Sequence, residues 1–168
     1  MERSQLRRWL WALGPVALYA GAIVLLSAQS ELPSVGWLWK LRYLYSQSPL
    51  GGLFGFDKIQ HFLEYAVFGF LIARAVQILS DPKRRSVRIW LVATLLGAAF
   101  GATDELHQYF VPHRDSSVGD LVADTLGTAF GAASWLTLRS LFRERSIGKT
   151  SDKTPEKIRA TDDPTLPV

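Results

Sequence analysis

The stretch "WLWALGPVALYAGAIVLLSA", residues 9–28, runs for twenty residues without a charge. At a rise of 1.5 Å per residue, a helix of that length crosses the roughly 30 Å hydrocarbon core of a bilayer. The preceding "RSQLRR" (3–8) resembles the basic start of a cleaved signal peptide. The apolar part of such a peptide usually runs only about 7–15 residues, however, and no clean A-x-A site follows. The segment therefore reads as an uncleaved transmembrane anchor, and cleavage would leave the orientation of the rest unchanged.

Working outward from it, three more apolar segments follow at 59–79, 89–110 and 118–138. They are less pure: the second holds His61, Glu64 and Arg74, the third Asp104 and Glu105, the fourth Asp120 and Asp124. Helices of a soluble bundle show a polar face along their whole length. "IWLVATLLGAAFGA" (89–102) shows none. The expected fold class is all-α, an integral membrane bundle of four transmembrane helices at about 9–28, 59–79, 89–110 and 118–138. The expected organisation is a short N-terminus (1–8), one transmembrane domain (9–140) and a disordered tail (141–168). That tail is polar, carries Pro155, Pro164 and Pro167, and has little to bury.

A net charge of +4 on 168 residues raises the question of a nucleic-acid partner. The basic residues sit at the ends of apolar segments, so topology explains them instead. Arg3, Arg7 and Arg8 precede the first segment, Lys83, Arg84, Arg85 and Arg88 lie between the second and third, and Arg139, Arg143, Arg145, Lys149, Lys153, Lys157 and Arg159 follow the fourth. Arg74 lies near that same face, and the opposite side has Lys40, Arg42, Lys58 and Arg114. Both termini are expected in the cytoplasm, with no nucleic-acid partner. Pro82 and Pro112 mark short turns between segments. "VGWLWKLRYLY" (35–45) places Trp37, Trp39, Tyr43 and Tyr45 around Lys40 and Arg42, a composition suited to the outer membrane–water interface. The chain has no cysteine, which rules out disulfides, thiolate metal sites and thiol nucleophiles.

With this orientation, the intramembrane acids converge at the external ends of their helices. Glu64, Asp104, Glu105 and Asp124 fall roughly 8–10 Å below the outer boundary. A lone charge in lipid costs about 2.5–3.5 kcal/mol on insertion scales, so a shared polar pocket explains them better than separate accidents. Residues at i, i+4, i+7 and i+11 share a helix face. That stripe is Gly97, Gly101, Asp104, Gln108 on the third segment and Asp120, Asp124, Gly127, Gly131 on the fourth. The mirror order predicts that the two glycine pairs meet at mid-membrane, bringing Asp104 near Asp124. Asp57, His61 and Glu64 share a face of the second segment.

Such a cluster must share protons, pair with His61, His107, Lys58 or Arg114, or hold a cation. Four uses stay open: a site for a lipid or glycan headgroup with Arg114 as anion fork, a structural network, acid–base hydrolysis, and a metal held by His61, Glu64, Glu105 and His107. Glu-x-His puts its two side chains on different helix faces, and no nucleophile motif accompanies the acids. No metal or cofactor is assigned, and oligomeric state is not legible. Arg114, in the "PHRDSS" turn, would either fold onto Glu105 and Asp120 or reach outward to an anionic headgroup.

"DKIQHFLEYAVFGFL" (57–71) followed by "DELHQYFVPHRDSSVGDLVADTLGTAFG" (104–131) resembles the VanZ-like family of bacterial membrane proteins, named for a teicoplanin-resistance protein. The resemblance spans about 10–140. It maps Asp57, Lys58 and His61 onto the family's D-K-x-x-H, then Glu105, Gln108, Arg114 and Asp120 onto its second motif, with Gly127 and Gly131 in the closing glycines. Asp124 stands where the family usually has Asn, so the Asp104–Asp124 pair is read as packing or hydrogen bonding rather than chemistry. The resemblance implies a plasma-membrane protein linked to the cell envelope or to glycopeptide tolerance. The partners expected are membrane lipids and a lipid-linked cell-wall precursor. The leading reading is a non-enzymatic membrane protein with an outer-leaflet polar pocket, and the rival is a membrane-embedded hydrolase or transferase acting on the same lipid-linked compounds.

Overall fold

The computed structural model describes residues 2–29, 36–48, 55–80, 85–112 and 116–151. Among these residues the secondary structure is entirely helical: α1 (Arg3–Ser27), α2 (Gly36–Ser46), α3 (Phe56–Leu79), α4 (Ser86–Tyr109) and α5 (Val118–Ser151). Helices α1, α3 and α4 are each long and apolar enough to cross a membrane. Among the described residues α5, expected as a fourth span, is not one of that set, because Asp120, Asp124 and a run of Gly, Ala and Thr dilute its apolar residues. Residues up to Leu136 form one compact unit. The segment from Thr137 forms a second, in which α5 runs on to Ser151, past the expected end at 138.

Helix α3 is the axis of the first unit. Its neighbours α1 and α4 run antiparallel to it. Arg8 and Trp11 near the start of α1 meet Ile78 and Arg74 near the end of α3, and Phe68 of α3 packs at a tilt on Phe100 of α4, with ring centroids 4.8 Å apart. The first half of α5 runs parallel to α3, with contacts that progress from Lys58 with Asp120 to Gln77 with Trp135. The apolar core is thin: Ile23, Tyr65, Phe68, Ile72, Ala73, Ile89, Ala93 and Ala132.

Burial is inverted relative to a water-soluble protein. Leu18 is 79% exposed and Leu95 68%, while Asp124 is fully buried. An apolar exterior around a polar interior suits a hydrocarbon surround, where charge is tolerated only facing the bundle interior.

Arginines close the backbone at one end. Pro15 lies inside α1 and has no N–H to bond the carbonyl of Trp11. Arg74 Nη1 donates to that carbonyl at 2.9 Å from α3, and its guanidinium lies 5.9 Å from the Trp11 ring. Arg8 Nε does the same for the carbonyl of Ile78, one of the four left over at the end of α3. Helix α2 packs on α3, with Tyr45 against Phe56 at 5.7 Å. Its Leu41, Tyr43 and Leu44 are exposed, and the side chains of Trp37 and Trp39 lie outside the described residues.

The glycine stripes pack differently from the expectation. Gly97 and Gly101 of α4 do face α5, where an added Cβ would collide with the Thr128 side chain and crowd Asp124. Gly127 and Gly131, however, face α3: a Cβ on either would overlap the carbonyl of Phe62 or Ala66. The two glycine pairs do not meet each other. Each admits a different neighbour, because the first half of α5 packs against both α3 and α4. Gly69 completes this seam on α3, lying against the backbone of Thr128.

Candidate functional site

The polar residues gather where α3 begins, α4 ends and α5 begins. Ser117 caps the start of α5, its Oγ accepting from the Asp120 N–H at 3.1 Å while donating to Asp120 Oδ2 at 2.6 Å. Lys58 Nζ reaches across from α3 to Asp120 Oδ1 at 2.6 Å, to Asp57 Oδ2 at 2.7 Å and to Ser117 Oγ at 3.1 Å. Among the described residues Asp120 thus has Lys58 as its cation. Arg114 itself lies outside the described residues.

One turn deeper is a second group. His61 Nδ1 lies 2.9 Å from Asp124 Oδ1 and 4.0 Å from Glu105 Oε1. The Ser117 N–H donates to Glu105 Oε2 at 2.9 Å, which fixes that carboxylate from the turn before α5. Asp104 Oδ2 accepts from Gln108 Nε2 at 3.1 Å, one helical turn on. Tyr65 is fully buried, and its ring edge shares with Asp124 the space left by Gly101. Thr128 Oγ1 donates back to the Asp124 carbonyl at 2.8 Å.

Supply and demand do not match here. Asp104 Oδ1, Glu105 Oε1, Asp124 Oδ2 and the Tyr65 hydroxyl are all buried without a hydrogen-bond partner among the described residues. Buried polar atoms in native proteins are nearly always satisfied, so each such atom asks for a reason.

Two openings reach these groups. A polar cavity of about 140 Å³ lies between α1, α3 and α4, with Ser27, Gln60, His61, Glu64, Asp104 and Gln108 among its walls. An apolar groove of about 520 Å³ runs between α3 and the start of α5, with Ile59, Phe62, Val122 and Leu126 along it and Lys58 and Gly119 at its polar end.

The family model described as VanZ/LLP1 matches residues 9–141, most of the chain. The chain belongs to the VanZ/LLP1 family. No curated protein and no solved structure matches it. The matched region of this VanZ/LLP1 chain contains both polar groups, both openings and every candidate site residue named from the sequence.

Of those residues, Asp104, Glu105, Gln108, Asp120 and Asp124 are buried, and Lys58, His61 and Glu64 are intermediate. Asp57 and His107 are exposed; His107 faces away from His61, as the angular offset of Glu-x-His requires. Asp104 and Asp124 flank the same cluster but bond to Gln108 and His61, not to each other. Sequence reading missed Tyr65, Ser27, Ser117 and Thr128. The capping pattern "SVGD" before an apolar run was the available signal for Ser117. Tyr65 sits within an apolar stretch, and nothing local distinguishes it from a core aromatic.

Proposed function

We propose that this chain is a four-span protein of the bacterial plasma membrane, with both termini cytoplasmic, whose external polar end engages a lipid or a lipid-linked component of the cell envelope. A role in glycopeptide tolerance of the teicoplanin type fits that activity. The antiparallel order of α1, α3, α4 and the first half of α5, with arginines at one end and acids at the other, supports the topology. The observation that carries the binding reading is the groove between α3 and α5. It is apolar along its length, with room for part of an acyl or prenyl chain, and has Lys58 at one end, whose ammonium would exchange the exposed Asp57 for a phosphate or carboxylate headgroup. A second reading, a membrane-embedded hydrolase or transferase on the same compounds, is favoured by the hydrogen-bonded His61–Asp124 pair, which has the form of an oriented general base.

Native mass spectrometry of the detergent-extracted protein tests the binding reading. Wild type is expected to retain an anionic lipid. Val122→Trp, which fills the groove from a half-exposed position, is expected to lose it at an unchanged melting temperature. A Val122→Trp protein with the same bound lipid would remove the groove from the argument. Turnover of a lipid-linked substrate that stops in Glu105→Gln would move the function to the enzymatic reading.

A further inference from the structure

The deeper polar group is built like a cation site. His61, Glu105 and Asp124 each offer one ligand atom, and these atoms lie within 4.8 Å of one another. In octahedral coordination, an ion held at about 2.1 Å from its donors sets neighbouring donors about 3.0 Å apart and opposite ones about 4.2 Å apart. The observed 2.9 Å from His61 to Asp124 and 4.0 Å from His61 to Glu105 match those two spacings.

Independent of the spacing, the cluster holds orphaned polar atoms. Asp124 is fully buried with Oδ2 unpartnered, and Glu105 Oε1 and the Tyr65 hydroxyl beside it are unpartnered too. Hydrogen bonds within the cluster leave these atoms over. A cation with its bound waters would satisfy all of them. Charge agrees: Lys58 is engaged with Asp57 and Asp120, so His61 is the cationic partner left for Glu105 and Asp124 among the described residues. Two carboxylates and one neutral imidazole balance a dipositive ion.

We infer that His61, Glu105 and Asp124 form a site for one divalent transition-metal ion, of the Mn²⁺ or Zn²⁺ kind rather than Ca²⁺ or Mg²⁺. The imidazole sets that preference, since all-oxygen sets suit the harder cations. The ion replaces the proton between His61 Nδ1 and Asp124 Oδ1, so binding releases that proton. Ser117 orients Glu105 through its N–H, the supporting contact that such ligands usually have. The 140 Å³ cavity, with His61 and Asp104 in its wall, is the entry path. This inference does not rest on the lipid reading, since the groove is a separate opening.

Tag-free protein in detergent, stripped with a chelator and desalted, is titrated with MnCl₂ while electron paramagnetic resonance reads the free ion. Zn²⁺ is then added as competitor. One Mn²⁺ per chain is expected, displaced by Zn²⁺, with binding at least about tenfold weaker in Asp124→Asn and Glu105→Gln and unchanged in His107→Ala. Where Asp124→Asn fails to fold, Glu105→Gln at the rim of the cluster carries the same comparison. No stoichiometric binding to wild type, or equal binding in Glu105→Gln, overturns the site. So does loss of binding in His107→Ala, which would assign the ion to the surface.

Discussion

Helix α3 has two flanks, and they are held in opposite ways. Against α5, between the side-chain bonds at either end, it is held by what is missing: Gly127, Gly131 and Gly69 remove side chains so that backbones touch. Against α1 it is held by long side chains. Arg8 and Arg74 cap free carbonyls, the Tyr19 hydroxyl donates to the Glu64 carbonyl at 3.2 Å, and Tyr19 stacks on Phe68 at 6.3 Å. The difference is one of tolerance. A seam made of backbone has no rotamer to adjust, whereas a seam made of long side chains can repack around a loss. The polar cluster lies on the intolerant side, where three helices fix its atoms.

The largest expected break is Gly131→Leu. Its side chain would enter the space of the Ala66 carbonyl, which cannot move aside, so the cost is at least about 3 kcal/mol. The expected outcome is loss of the monodisperse detergent-extracted species in size-exclusion chromatography. A variant that melts like wild type would show that the α3–α5 contact is looser than its geometry.

Lys58→Met comes next. It strands Asp120, which is 3% exposed. Breaking a fully buried pair costs about 3–5 kcal/mol. Lys58 keeps some solvent contact, so about 2 kcal/mol is expected, read as a fall in melting temperature. Adding Asp120→Asn should recover part of it, and an additive double mutant would deny the pairing.

The smallest effect belongs to the α1 flank. Arg74→Gln uncovers the carbonyl that Pro15 leaves free, at an exposed position, and about 1 kcal/mol is expected. Restoring the helix's own bond with Pro15→Ala in the same chain should cancel most of that loss. A deficit equal in both backgrounds would assign Arg74 to the Trp11 ring instead.

Much of the fold was legible because hydrophobic length is a local property. The ends of α1, α3 and α4 lie within a few residues of the apolar segments, apart from the added basic turn at the start of α1. The gathering of acids at one end followed from counting residues along helices, which needs no knowledge of the neighbours. Rotation about the helix axis was not legible. Gly127 and Gly131 share a stripe with Asp120 and Asp124 in projection, but whether that stripe faces α3 or α4 depends on how three helices meet. The same limit blurred the partners of His61: spacing offered Glu64, Glu105 and His107, while the fold keeps Glu105 of these and adds Asp124 from α5.

The parallel pairing of α3 with α5 also sets an order of events during synthesis. Lys58 and His61 are made some sixty residues ahead of Asp120 and Asp124, their partners in α5. While the ribosome is still making α4, the start of α3 holds polar side chains whose α5 partners do not yet exist. Lipid is a poor place for such groups to wait. On the proposed topology, the nascent α3 would keep this end in water or within the insertion machinery until α5 arrives, so α5 completes α3 as well as itself.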